Sequence, residues 1–280
     1  MSFGVLTTFD LPMNIRLLGT GAADGIPGFF GNDMVSDYAR HHGGKDIRGR
    51  TAALVDDVLQ IDFPPDTLSQ LNRFSLDARD WSAVLFTHSD DDHLAVDEIQ
   101  YALFPFSELE YLPYTIYANP NVCGEIQARY PHWPMDIVVT ESFHSFAHGD
   151  YQIMPVKATH IEDEDCQNLI IEKDGKRLLY ATDTGIWPEQ TFEFLKAYRF
   201  DLLVIECTDG FVQSTYNGHL NIEGVLQVVT RLRHDGILDT KSRVVTTHHG
   251  HHGNARHCDL ERVFAEHGIE PGYDGMLIEI

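Results

Sequence analysis

Basic residues are scarce in this chain: 20 Lys and Arg stand against 43 Asp and Glu, a formal charge of -23. A nucleic-acid-binding surface is therefore not expected, because phosphate backbones are held by Lys and Arg that displace their counterions. Part of the acidity suits bound cations, and the rest reads as a solvated acidic surface. Cysteine is sparse as well. Cys123, Cys166, Cys207 and Cys258 have neither zinc-ribbon nor redox spacing, so a reducing compartment is the simplest setting. No run is long and apolar enough to span a bilayer, which excludes a membrane helix. The N-terminus lacks the charged start and long apolar centre of a secretory signal, and a cytoplasmic protein is expected. Repeats, low-complexity tracts and linker-like boundaries are missing too. Residues 1–280 are accordingly read as one domain, long enough to bury a sizeable core.

What is present is a series of short apolar runs bounded by turn residues. Strands are expected at 15–19, 52–55, 58–62, 83–87, 114–117, 137–140, 151–159, 169–173, 177–182, 202–206, 243–247 and 276–280. Helices are expected at 66–74, 96–104, 122–130, 188–198, 222–233 and 255–267. Asp174-Gly175 reads as a hairpin tip. Clustered strands with interleaved helices fit an α/β protein: two mixed β-sheets packed face to face and flanked by helices, a four-layer αββα sandwich.

Polar punctuation carries the chemistry. The segment THSDDDH at 87–93 places His88, Asp90, Asp92 and His93 directly behind a buried-strand pattern. Imidazole and carboxylate groups crowded at this spacing are ligands for zinc, manganese or iron. Three further strands end in a competent donor: His160, Asp183 and His248. Each of these histidines alone reads as a core or surface residue. Seven donors at strand ends, where rigid scaffolds carry sites, read as two adjacent metal shells with Asp183 between them.

Together these segments resemble the metallo-β-lactamase-fold hydrolases. The resembling residues are LLGTGAADGIP at 17–27, THSDDDH, ATH at 158–160, YATDTG at 180–185, VVTTHHGHH at 244–252 and YDGMLIEI at 273–280. Within that superfamily, the first and last of these with GHLNIEGVL at 218–226 look most like the phosphodiesterase branch. That branch holds the phosphoribosyl cyclic phosphodiesterases and the tRNA 3′-processing endonucleases (tRNase Z). The resemblance implies that His88, Asp90 and His160 form one shell, that Asp92, His93 and His248 form the other, and that Asp183 bridges. It implies His219 as general acid and His251 as a neighbour of the phosphate. His219, Asp92 and His251 are thus the residues expected at the reaction itself. Two cations a few ångströms apart supply an acidified water and neutralise charge at phosphorus.

Two departures from the family pattern stand out. The family's loop is H-x-H-x-D-H, and Asp90 replaces its second histidine. A carboxylate there hardens the site and favours manganese or iron over zinc. Segment 28–44 has no cysteine, so a structural zinc is not expected, and His41 and His42 are read as a solvated loop. Asp66 is expected to cap a helix. Asp62 is read as a capping or ligand-supporting residue, and Glu206 as a ligand-orienting or structural carboxylate. The aromatic run at 101–114 is read as core that also walls the site, and 143–150 stays open as a loop over it. The expected partner is a small phosphodiester, with a homodimer left open. A lactonase- or thioesterase-type hydrolase of the same fold, a di-iron oxygen-reducing enzyme and a metal-degenerate sensing protein are the alternatives.

Overall fold

The computed structural model describes residues 12–280. Strands β1 (Asn14–Gly19), β2 (Ala52–Val55), β3 (Leu59–Ile61), β4 (Ala83–Leu85), β5 (Thr115–Ala118) and β6 (Asp136–Val139) form one sheet. Strands β7 (Phe146–His148), β8 (Tyr151–Lys157), β9 (Gln167–Lys173), β10 (Lys176–Ala181), β11 (Leu202–Glu206), β12 (Arg243–Thr247) and β13 (Glu270–Pro271) form the other. The last strand, β14 (Leu277–Glu279), returns to the first sheet beside β1. Both sheets have seven strands and both are mixed. In the first, β3 to β6 are parallel; in the second, β10 to β13 are parallel.

Period-two alternation builds the layers, since neighbouring side chains of a strand face opposite sides of its sheet. In β10, Leu178 and Tyr180 face the other sheet, while Leu179 and Ala181 face helices. β2 does the same with Ala53 and Val55 against Ala52 and Leu54. The result is one apolar layer between the sheets and one outside each. Helices α1 (Met34–His42), α2 (Thr67–Phe74), α3 (Pro120–Arg129), α4 (Glu189–Leu195), α5 (Ile222–His234) and α6 (His257–Phe264) follow in the chain. Val122, Cys123 and Ile126 of α3 cover the first sheet; Val225, Val229 and Leu232 of α5 cover the second. This is the αββα sandwich expected from the sequence.

Several local expectations are corrected. Segment 34–42 is helical, not a solvated loop, because Asp33 accepts hydrogen bonds from the Val35 and Ser36 N–H groups and Val35 and Ala39 share a buried face. Its His41 and His42 are exposed. The helix expected at 96–104 is a 3₁₀ segment, Val96–Ala102, in which only Ile99 is buried; it lacks the repeated apolar contacts that hold an α-helix. Asp66 precedes α2, but its carboxylate accepts from the Arg50 N–H at 2.7 Å instead of capping. Residues 146–148 form edge strand β7 against the start of β8, at the end of the sandwich away from His160. Among the described residues, no helix is long and apolar enough to cross a membrane.

Asp56, in the turn between β2 and β3, ties the sheets together. It accepts hydrogen bonds from Asn14 N, Tyr151 Oη and Lys173 Nζ at 2.7–2.8 Å. Burial pushes its carboxyl upward, but these donors outweigh that and hold it below the ordinary value. A depressed folded pKa stabilises the protein above the unfolded value of about 3.9 and loses that contribution as pH falls through the folded one. Asp56→Asn is expected to lower the melting temperature at pH 7 and to have a much smaller effect near pH 2. Equal shifts at both pH values, read by thermal denaturation, would contradict this account.

Candidate metal centre

Apart from His160, which follows antiparallel strand β8, each donor sits just past the carboxyl end of a strand in the parallel half of a sheet or in the loop it feeds. That is where open α/β sheets place ligands. Asp62 follows β3, and Thr87 and His88 follow β4. Asp183 follows β10, Glu206 ends β11, and His248 follows β12. Registers Ile61↔Leu85 and Glu206↔Thr247 bring these ends level. Asp62, Asp183 and His248 have positive φ values of 60°, 47° and 51°. Non-glycine residues in this region cost on the order of 1 kcal/mol or more each, and such strain gathers at functional sites.

Two donor groups of expected ligands result, His88, His160 and Asp183, and Asp92, His93 and His248; a third, overlapping group joins Asp183 and His248 to His219. Asp183 reaches both. Its Oδ2 lies 2.9 Å from His93 Nε2, and its Oδ1 lies 3.2 Å from His248 Nε2 and 3.9 Å from His160 Nε2. Asp92 Oδ2 stands 3.2 Å from His93 Nε2 and 3.6 Å from His248 Nε2. On the open side, Asp90 Oδ2 is 3.0 Å from His160 Nε2 and 3.4 Å from His88 Nε2. All seven sequence-expected donors are thus brought together.

Hydrogen bonds behind the rings decide which nitrogen faces inward. A carboxylate can only accept, so His93 Nδ1–H donates to Asp62 Oδ2 at 2.7 Å. Thr87 Oγ1 donates to the same carboxylate and accepts from His88 Nδ1–H at 2.9 Å. The second sheet repeats the arrangement. Thr208 Oγ1 donates to Glu206 Oε2 at 2.6 Å and accepts from His248 Nδ1–H at 2.8 Å. His160 Nδ1–H donates to the Gly218 carbonyl at 3.1 Å. All four rings therefore turn Nε2 toward the centre. Imidazole ligands are commonly fixed in this way from behind.

This donor set fits a divalent cation. The Nε2 atoms of His88, His93 and His248 are buried and make no hydrogen bond, although carboxylate oxygens stand within 3.6 Å. These buried nitrogens lie within 4.8 Å of other donor atoms in their groups, as ligands of a common cation would. Burial disfavours charge on His93, yet Asp183, Asp92 and Asp62 hold its pKa well above the ordinary value. Asp183 is pushed up by burial, and His248 and His93 hold it well below the usual carboxylate range. So many buried carboxylates call for positive charge among them.

His219 stands beside this centre. Its Nδ1–H donates to Glu206 Oε1 at 2.9 Å, and its ring stacks on His248 with centroids 5.5 Å apart. Burial lowers its pKa, but Glu206, with Asp183 and Asp209, lifts it to about 9. Glu206 also accepts from the N–H groups of Thr184 and Leu220, so one buried carboxylate orients His219 directly and His248 through Thr208. His251 is not drawn into either donor group. Its two ring nitrogens face Asp33 at 2.7 Å and Asp24 at 3.0 Å. Sequence reasoning missed Thr208, and with it Tyr216, whose hydroxyl donates to the His160 carbonyl at 3.1 Å. A hydroxyl residue close behind a strand-end carboxylate was the only signal for the first.

A cavity of about 920 Å³ lies elsewhere. Phe63, Trp81, Ile99 and Tyr114 line it behind the metal loop, and it contains no donor group. Tyr101 lines it too, while Phe104 and Phe106 are exposed, so the aromatic run at 101–114 walls this cavity and not the centre. A smaller cavity of about 290 Å³ opens at His219.

The αββα architecture and the His/Asp donor set at its strand ends define the class: a metallo-β-lactamase-fold protein with a metal centre. The chain belongs to the family described as the β-lactamase superfamily domain, whose model matches residues 58–249. No curated protein matches it. Among solved structures it is similar to a diphosphatase from the PhnP family, with TM-score 0.76, 18% identity, and coverage of 96% of this chain and 98% of that one. It is similar to Zn(2+)-bound PqqB from Methylobacterium extorquens, with TM-score 0.74, 16% identity, and coverage of 95% and 100%. Human tRNase Z, short form, gives TM-score 0.64 and 16% identity over 95% and 98%.

Asp62→Asn and Glu206→Gln are each expected to weaken metal affinity by roughly 10–100-fold, the usual effect of removing a ligand's supporting partner. Asp183→Ala is expected to lower bound metal at both positions. Metal titration with elemental analysis reads both. Unchanged affinity in Asp62→Asn and Glu206→Gln would show that these carboxylates serve the fold alone.

Proposed function

We propose that this protein is a binuclear metal-dependent phosphodiesterase acting on a small, uncomplicated phosphodiester, cyclic substrates included. The observation that carries this reading is the pairing of His219 with buried Glu206, beside a donor set that shares Asp183. Two cations bound there would supply an acidified water and charge neutralisation at phosphorus. One shell would consist of His88, Asp90, His160 and Asp183, the other of Asp92, His93, His248 and Asp183. Asp90 would favour manganese or iron over zinc, because a carboxylate is a harder ligand than imidazole.

The chain's own residues account for the other half of the reaction. An alkoxide leaves poorly unless it is protonated. With Nδ1–H committed to Glu206, His219 has Nε2 available as the proton donor. Glu206 holds the ring in that tautomer and stabilises its charged form. His251 is left outside the chemistry, because both its nitrogens face carboxylates and a phosphate there would meet Asp24 and Asp33. Two structural neighbours bear names of phosphate-cleaving proteins, a diphosphatase and a tRNase, which supports the choice of phosphodiester over lactone or thioester. The acidic chain favours a small substrate over a nucleic acid.

The test is leaving-group dependence. In the metal-loaded protein, His219→Asn is expected to reduce kcat for an alkyl phosphodiester by about 10²–10⁴. With a p-nitrophenyl leaving group, which departs without protonation, the loss should be far smaller. Equal losses for both esters would remove His219 from the acid role. No cleavage of any phosphodiester with manganese, iron or zinc would reject the reading altogether. A companion measurement concerns Asp90. Asp90→His is expected to shift bound metal toward zinc, and an unaltered preference would show that Asp90 does not select the metal.

A further inference from the structure

The cavity that opens at His219 has a distinctive lining. Gln213, Ser214, Asn217 and Gln227 present neutral hydrogen-bonding groups to it. Apart from His219, its charged side chains are two carboxylates, Asp209 and Glu223, and no Lys or Arg of the described residues lines it. Tyr216 forms one wall, with its ring 5.5 Å from that of His219. The wall is held in place: the Tyr216 hydroxyl donates to the His160 carbonyl, and a Cβ at Gly218 would fall 2.4 Å from the Tyr216 ring. Glycine at 218 is thus required for the close approach of ring and backbone.

Position gives this lining a meaning. His219 belongs both to the cavity and to the metal centre, where its ring stacks on His248. A substrate whose phosphorus sits at the centre and whose departing oxygen meets His219 places its leaving group in this cavity. Asp209 stands at 3.3 Å from His252 and is buried, whereas Glu223 is exposed at the start of α5. Asn221 caps α5 through its Oδ1 and donates from Nδ2 to Gln213 Oε1 at 3.0 Å, which leaves the Gln213 amide N–H groups for a ligand. Away from His219, an anionic leaving group would meet two carboxylates and neither Lys nor Arg, and like charges placed together are a strong means of rejecting a ligand. Neutral amides and hydroxyls suit a group that both donates and accepts hydrogen bonds.

We propose, building on the phosphodiesterase reading, that this cavity selects an uncharged polyhydroxyl leaving group and rejects one that carries a second phosphate. The selecting residues are Asp209 and Glu223, with Gln213 and Asn217 as hydrogen-bonding partners. A diphosphate or phosphorylated sugar is then a poor substrate, even though a structural neighbour is a diphosphatase.

The experiment compares three diesters on the metal-loaded full chain. These are a methyl riboside 2,3-cyclic phosphate, the same compound phosphorylated on its 5-hydroxyl, and methyl phosphocholine. The uncharged riboside is expected to exceed its phosphorylated counterpart in kcat/KM by on the order of tenfold or more, and Glu223→Lys to shrink that ratio. Equal or better turnover of the phosphorylated compound, preference for the choline ester, or an unmoved ratio in Glu223→Lys would overturn the proposal. Binding to the metal-free chain, read by saturation-transfer NMR with ribose and ribose 5-phosphate, separates this idea from its parent. If no diester is cleaved, the phosphodiesterase reading fails, while the NMR comparison still decides the cavity's preference. Ribose that fails to bind, or binds no better than ribose 5-phosphate, would reject it.

Discussion

Two buried carboxylates, one at a strand end of each sheet, hold this site together. Asp62 receives His93 Nδ1–H directly and His88 Nδ1–H through Thr87; Glu206 receives His219 Nδ1–H directly and His248 Nδ1–H through Thr208. Both side chains are fully buried. A buried anion without donors is costly, so each carboxylate is surrounded by N–H and O–H groups. Its tolerance of burial and its fixing of the imidazoles are one arrangement. The rings cannot turn without leaving a buried charge unpaired, so the inward direction of Nε2 is set before any cation arrives.

The same logic explains why the centre lies where the sheets meet. Neither sheet alone supplies a full donor set. The first contributes His88, Asp90, Asp92 and His93 on the loop after β4; the second contributes His160, Asp183 and His248. Packing of Val55, Ile61 and Leu85 against Leu178, Tyr180 and Val204 brings the two halves within bonding distance. Asp183 then spans them, with one oxygen toward His93 and the other toward His248. Carboxylates gather around the centre: Asp90 and Asp92 inside it, Asp209 and Glu223 in the adjoining cavity. Such a surround binds cations readily and admits a second substrate anion poorly.

Much of this was legible from residue order. Strand-end donors stood out because apolar runs stop abruptly at Thr87-His88, Thr182-Asp183 and Thr247-His248. All twelve expected strands are present, three with unchanged bounds and nine with small changes at their ends, as at β4, which closes at Leu85 while the Thr87 N–H is given to Asp62. Less visible were features whose cause is distant in the chain. His41 and His42 were read as loop, whereas they end helix α1, whose capping Asp33 also meets His251, 218 residues away. The role of Asp66 was misassigned because its partner, the Arg50 N–H, belongs to another segment. The aromatic run at 101–114 could not be placed by composition, because core, cavity wall and surface all use the same residues.

By itself the sequence determined the alternation that makes two-faced strands, the donor types, and the acidity of the chain. Each follows from local chemistry: side-chain period, ligand hardness and net charge. Tertiary structure alone decided which nitrogen of each histidine faces the centre and which cavity adjoins His219. Those depend on contacts between residues far apart in the chain, as from His93 to Asp62 or His219 to Glu206, and only the packing of one sheet on the other brings the two halves of the site together.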